Sequence, residues 1–168
     1  KVEELVKNQD EKTGQELLQV ETWLQMQGDK IAPELATQVK DTSGPLATRF
    51  TACRVLMKLG PGTATPILME ATSTEPREVR VKAIECLGRL KPTSQEIVEK
   101  IISLIDDPDD EHRKAAIRAL ASIGKPAGAA KDQLQAILND TQEDETIRSL
   151  AKKALQEVDP RKGLMNAY

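Results

Sequence analysis

Cys53, Cys86 and His112 are the side chains of this chain that offer thiolate or imidazole chemistry. A zinc-type site needs about four N or S donors, set in closely spaced pairs. One histidine cannot supply a multi-histidine site, and the two cysteines have no CxxC spacing. They read as reduced thiols filling small gaps. Gly60-Pro61-Gly62-Thr63 and Gly124-Lys125-Pro126 read as turns, since neither has the GxxxxGK[ST] form of a phosphate loop. Carboxylates crowd at Asp106, Asp107, Asp109, Asp110 and Glu111, and again at Glu143, Asp144 and Glu145. Those runs read as solvated loops and first turns of helices, where negative charge meets the positive end of the dipole. The sequence therefore points to no catalytic residue, no metal site and no cofactor.

The elements around these residues follow a repeat. Arg-x-x-Ala-x-x-x-Leu-x-x-aliphatic occurs as Arg49-Ala52-Leu56-Leu59, Arg80-Ala83-Leu87-Leu90, Arg113-Ala116-Leu120-Ile123 and Arg148-Ala151-Leu155-Val158. The Arg-to-Arg steps are 31, 33 and 35 residues. Self-similarity at that period marks stacked helical units. Leu35, Leu68, Ile101 and Leu134 precede the motifs at a constant step of 33 residues. Each unit thus reads as a first helix, a short polar loop and a second helix. First helices are expected near 32–40, 65–72, 94–105 and 129–139, and second helices near 46–59, 76–90, 110–123 and 145–158. Ala, Leu and the aliphatic residue lie at +3, +7 and +10 from Arg and share one helical face. No unit can bury that face alone, so neighbours must cover it.

Boundary residues agree with this division. Gly44-Pro45 and Thr65-Pro66 read as an N-cap followed by proline at the first helical position. Thr13-x-x-Glu16 and Thr93-x-x-Glu96 read as capping boxes. Gly60 and Gly124 follow second helices where a left-handed cap is wanted. Pro61, Pro92, Pro126 and Pro160 prevent those helices from continuing. Gly88 is the exception inside a helix, and it implies close helix contact. The expected organisation is one all-α domain over 1–168. It has an N-terminal helical cap at 1–28, repeats at 31–60, 64–91, 94–124 and 129–159, and a tail at 160–168.

Composition narrows the partner. The chain holds 39% hydrophobic but only 2% aromatic residues, so its core must be Leu, Ile, Val and Ala. Base stacking on aromatic platforms is disfavoured. A net charge of −3 argues against a general duplex binder, so nucleic acid is not the expected partner. No run of about 18 apolar residues occurs, so no membrane span is expected. The sequence starts at Lys1 without a signal peptide, which suggests a trimmed or processed chain. A cytoplasmic location is favoured, with an exported chain left open.

With its four Arg-x-x-Ala-x-x-x-Leu motifs, Asp107-Pro108 and terminal Leu-Gly or Ile-Gly, the stretch 31–158 resembles the HEAT family, most of all the bacterial phycobilisome-lyase HEAT-like type. The resemblance implies an α-α superhelix with second helices on the concave side and protein binding as the usual role. It also implies a structural ladder between the loop residues Asp41, Asp107 and Asp140 and the motif residues Arg49, Arg80, Arg113 and Arg148. Thr74 stands where the second unit would carry its Asp. HEAT-like iron hydroxylases use repeated His-Glu pairs, and this chain has none in that order.

Charge suggests where a partner would sit. Segments 46–59, 79–90, 112–123 and 146–158 of the second helices sum to +10, leaving −13 for the rest. Positions +5 and +9 point away from the core and hold Arg54 and Lys58, Glu85 and Arg89, Arg118 and Ser122, Lys153 and Glu157. Lys82 and Lys114 lie nearby, and Phe50, Met57 and Val81 add apolar contacts. A basic concave groove of Phe50, Arg54, Met57, Lys58, Lys82, Arg89, Lys114, Arg118 and Lys153 is expected to hold an acidic segment of a protein partner. The expected role is a non-catalytic interaction module. The alternatives are a lyase-like or maturation accessory subunit, with Cys53 and Cys86 as its only nucleophiles, and a spacer within a longer protein.

Overall fold

The computed structural model describes residues 26–74, 76–91 and 94–159, with Gln19, Thr22 and Trp23. Eight α-helices span these residues: α1 Ala32–Lys40, α2 Leu46–Leu59, α3 Pro61–Ala71, α4 Arg77–Arg89, α5 Gln95–Ser103, α6 Asp110–Ile123, α7 Lys131–Asn139 and α8 Glu145–Val158. Short 3-10 turns at Gly28–Ile31, Leu104–Asp106 and Lys125–Ala130 lead into α1, end α5 and lead into α7. No strand occurs among the described residues. Most of the expected N-terminal cap helix, both threonines of the expected capping boxes, Pro92, Pro160 and the tail lie outside them.

The +3 and +7 positions explain why these segments pack. Ala52, Leu56, Ala83, Leu87, Ala116, Leu120, Ala151 and Leu155 are all buried. Small Ala admits a neighbouring helix, and Leu fills the space beside it. The helices divide into two compact units, with the division between Cys86 and Leu87. In the first, α1 and α3 pack on α2 and on each other, around Leu35, Val39, Leu56 and Leu68. In the second, α5 packs on α6 while α8 packs on both α6 and α7, around Ile101, Ile117, Leu120, Leu134 and Leu155.

Helix ends differ from expectation in instructive ways. The third helix starts at Pro61, four residues early, so Pro66 lies inside it instead of opening it. Gly60 makes this possible: its φ of 95° ends α2 at once, and Pro61 needs no amide partner at N1. Pro45 itself is the N-cap of α2, one residue later than the Gly44-Pro45 pair suggested. The lead-in to α7 begins at Lys125 instead of 129, as a 3-10 turn with Pro126 near its start. Gly124 carries the positive φ, 74°, that lets the chain turn there. Gly88 is buried in α4 because a Cβ there would lie 2.5 Å from the Ala119 Cα of α6.

Candidate functional site

Two of the motif arginines, Arg49 and Arg113, reach backbone carbonyls through Nε. Arg49 is 1% exposed and donates from Nε to the Val39 carbonyl at 2.8 Å. Arg113 does the same to Ile105 at 3.0 Å. Both acceptors lie at the C-terminal ends of first helices or their 3-10 extensions, where carbonyls lack partners and the dipole is negative. Arg80 is half-buried, and so is Arg148, whose Nε is buried without a hydrogen-bond acceptor. The guanidinium of Arg113 also engages both carboxylate oxygens of Glu143, with Nη1 to Oε1 at 3.3 Å, and reaches Asp110 at 3.4 Å. Glu143 was not among the expected site residues. Its carboxyl is held below the usual range mainly by the Arg113 hydrogen bond, and Arg113 is raised by the same contact.

The loop aspartates fold their own loops. Asp41 Oδ1 accepts from the Ser43 amide and hydroxyl, Asp107 Oδ1 from the Asp109 amide, and Asp140 Oδ1 from the Gln142 amide. These are turns of the kind short carboxylates favour. Asp107 Oδ1 also lies 3.2 Å from Nδ1 of His112, which is buried at the start of α6. His112 is thus tied to a structural turn. Asp109 caps α6 by accepting from the Glu111 and His112 amides. Asp144 caps α8 through the Ile147 amide, and that hydrogen bond lowers its carboxyl pKa.

The cations divide by exposure. Arg54, Lys58, Arg89, Arg118 and Lys153 are exposed. Lys82 and Lys114 are half-buried and sit near carboxylates of their own helices, Glu85 at 3.5 Å and Glu111 at 3.1 Å. Phe50, Met57 and Val81 are half-buried. The first unit thus carries Phe50, Arg54, Met57, Lys58 and Lys82, and the second carries Arg89, Lys114, Arg118 and Lys153.

Cys53 and Cys86 are free and buried, at 0% and 1% exposure. Burial pushes the Cys53 thiol up to about 12. Among the described residues no group of His, Cys, Asp and Glu is placed to hold a metal ion, and no helix is long and apolar enough to cross a membrane.

Paired helices that recur at a fixed period and share one buried Ala-Leu face define the class of helical-repeat proteins. Within it the chain belongs to the HEAT repeat family, whose model matches residues 65–156. No curated protein matches the chain. Among solved structures it is similar to human deoxyhypusine hydroxylase in complex with glycerol, at 18% identity and a TM-score of 0.67. That match covers 85% of this chain and 48% of the hydroxylase, so the chain spans about half the hydroxylase's length. It is also similar to the complex of CpcE and CpcF of phycocyanin lyase from Nostoc sp. PCC7120, at 19% identity and a TM-score of 0.64, covering 91% of this chain and 96% of the other. A designed armadillo repeat protein in complex with the peptide (KR)4 matches at 16% identity and a TM-score of 0.53, covering 94% and 82%. At these identities the likeness is one of fold.

Proposed function

We propose that this chain is a non-catalytic protein-interaction module whose second helices hold an acidic segment of a protein partner. One observation carries the reading. The +3 and +7 residues of every motif are buried, while Arg54, Lys58, Arg89, Arg118 and Lys153, at +5 and +9, are exposed. The same register that builds the core therefore sets a cation on the outer side of each second helix. Surface cations of one sign speed encounter with an acidic partner and select against basic ones. Under this reading the motif arginines register the repeats, together with Asp41, Asp107 and Asp140, and the partner meets the outer cations.

Binding of a fluorescent oligoglutamate peptide tests the proposal. Reversal of Arg54, Lys82 and Arg118 to Glu should weaken binding by about tenfold or more at low salt. Raising the salt should weaken the parent chain's binding in the same direction. Equal affinity for the parent and reversed chains would remove the reading.

A lyase-like accessory role is the second reading, supported by the similarity to the CpcE–CpcF complex across 91% of this chain. Where that role uses a thiol of this chain as the nucleophile, burial of Cys53 and Cys86 works against it.

A further inference from the structure

Resting on the reading above, we propose that α2 holds the anchor of the binding surface: Phe50 and Met57 form an apolar floor, edged by Arg54 and Lys58, that seats an apolar side chain of an acidic peptide. The helix geometry supplies the arrangement. At about 100° per residue, Leu46, Met57 and Phe50 fall within about 40° of each other. Arg54 and Lys58 follow on the adjoining part of the surface, within about 80° more. Exposure agrees with that order. Cys53, beside the floor on the wheel, is fully buried, Phe50 and Met57 are half-buried, and Arg54 and Lys58 are exposed. Leu46 extends the apolar row at the helix start and is 38% exposed.

The other second helices lack this floor. Where α2 has Phe50 and Met57, at +1 and +8 from the motif Arg, α4 has Val81 and Gly88. The same positions hold Lys114 and Ala121 in α6, and Ser149 and Gln156 in α8. Charge recurs along the repeats, whereas a large half-exposed apolar pair at these positions does not. Charge alone accepts any acidic chain; an apolar floor beside cations selects one that carries a hydrophobic residue between its carboxylates. The occupant is thus an acidic peptide segment of a protein partner with interleaved apolar residues.

Two synthetic peptides of equal length and net charge separate this inference from the reading it rests on. One has Leu between Glu–Asp pairs, and the other has Ser in place of each Leu. Seating one Leu should make the first bind about tenfold tighter in fluorescence anisotropy. Phe50→Gln should bring the two affinities within about twofold of each other, because only the apolar contribution is lost. Met57→Gln should narrow the gap in the same direction, and it decides the matter if Phe50→Gln loses its helical circular dichroism. Equal binding of the two peptides to the parent chain overturns the anchor and leaves the acidic-segment reading standing. Binding of neither overturns both. A preference for the Leu peptide that survives both substitutions places the anchor elsewhere and overturns the assignment to α2.

Discussion

Cys53 shows how a residue with chemical potential is spent on packing. It occupies the position four residues after the motif Arg, where α2 turns its most enclosed side inward, and it is 0% exposed. Removal from water disfavours the thiolate most, and nearby Cys86 acts in the same direction. Lys82, Arg49 and the residue's own backbone hydrogen bond pull the other way without reversing the result. The thiolate is the nucleophile, so a thiol raised from 9.0 to about 12 is inert near neutral pH. An aromatic disulfide reagent at pH 8 should leave both cysteines unmodified in the native protein and label both once urea unfolds it. Rapid native labelling of either would favour the lyase-like reading. The sign with pH is also set. The folded-state pKa lies above the ordinary value, so burial of the neutral thiol stabilises the fold fully below pH 9.0. That contribution is lost as pH rises toward about 12. Cys53→Ala should therefore show a shallower alkaline loss of stability than the parent chain.

Between α6 and the loop before α8, the Arg113–Glu143 pair ties one two-helix element to the next. Both side chains are mostly buried, at 19% and 14% exposure, so water screens the pair less than a surface pair. A hydrogen bond to a charged group of this kind contributes about 1.5 to 3 kcal/mol. Glu143→Gln should lower the urea-unfolding free energy at pH 7 by a similar amount. Because the folded Glu143 has a depressed pKa, its contribution is present above the unfolded value of 4.5 and fades as pH falls through the folded one. The parent and Glu143→Gln curves should therefore converge in acid, and a difference unchanged from pH 7 to pH 3 would assign the loss to packing. The helices holding this pair were legible in the sequence, since 46–59, 110–123 and 145–158 match α2, α6 and α8. Period and aliphatic spacing carry that information, because stacking buries every +3 and +7 residue. Glu143 was not legible as a partner. It lies 30 residues from Arg113 in an acidic loop, and nothing in its local spacing separates it from Asp144 or Glu145. The start of α3 was missed for a related reason. Two Pro-containing segments, Gly60-Pro61 and Thr65-Pro66, both resemble helix starts, and only the backbone turn at Gly60 decides between them.

Across the whole molecule the repeated register also shows where the apolar series stops. The residue four past each motif Arg is Cys53, Ile84, Ile117 and then Lys152. The first three are fully buried, and Lys152 is exposed. Ser149 and Gln156 stand on the same row of α8 and are also exposed. Three repeats therefore bury an apolar residue at this position, while the fourth presents a polar row to water. An apolar row open to water would recruit further copies, and Lys152 prevents this with a charge that is costly to bury unpaired. Lys152→Ile together with Gln156→Ala should recreate the apolar row without touching the core. In sedimentation velocity the double variant should show a weight-average sedimentation coefficient that climbs with concentration more steeply than that of the parent chain. Added Arg54→Glu should leave that climb in place, since α2 lies in the other unit and the new contact forms on α8. If the double variant sediments like the parent at every concentration, the row on α8 is ordinary surface and the polarity of Lys152 does not prevent self-association.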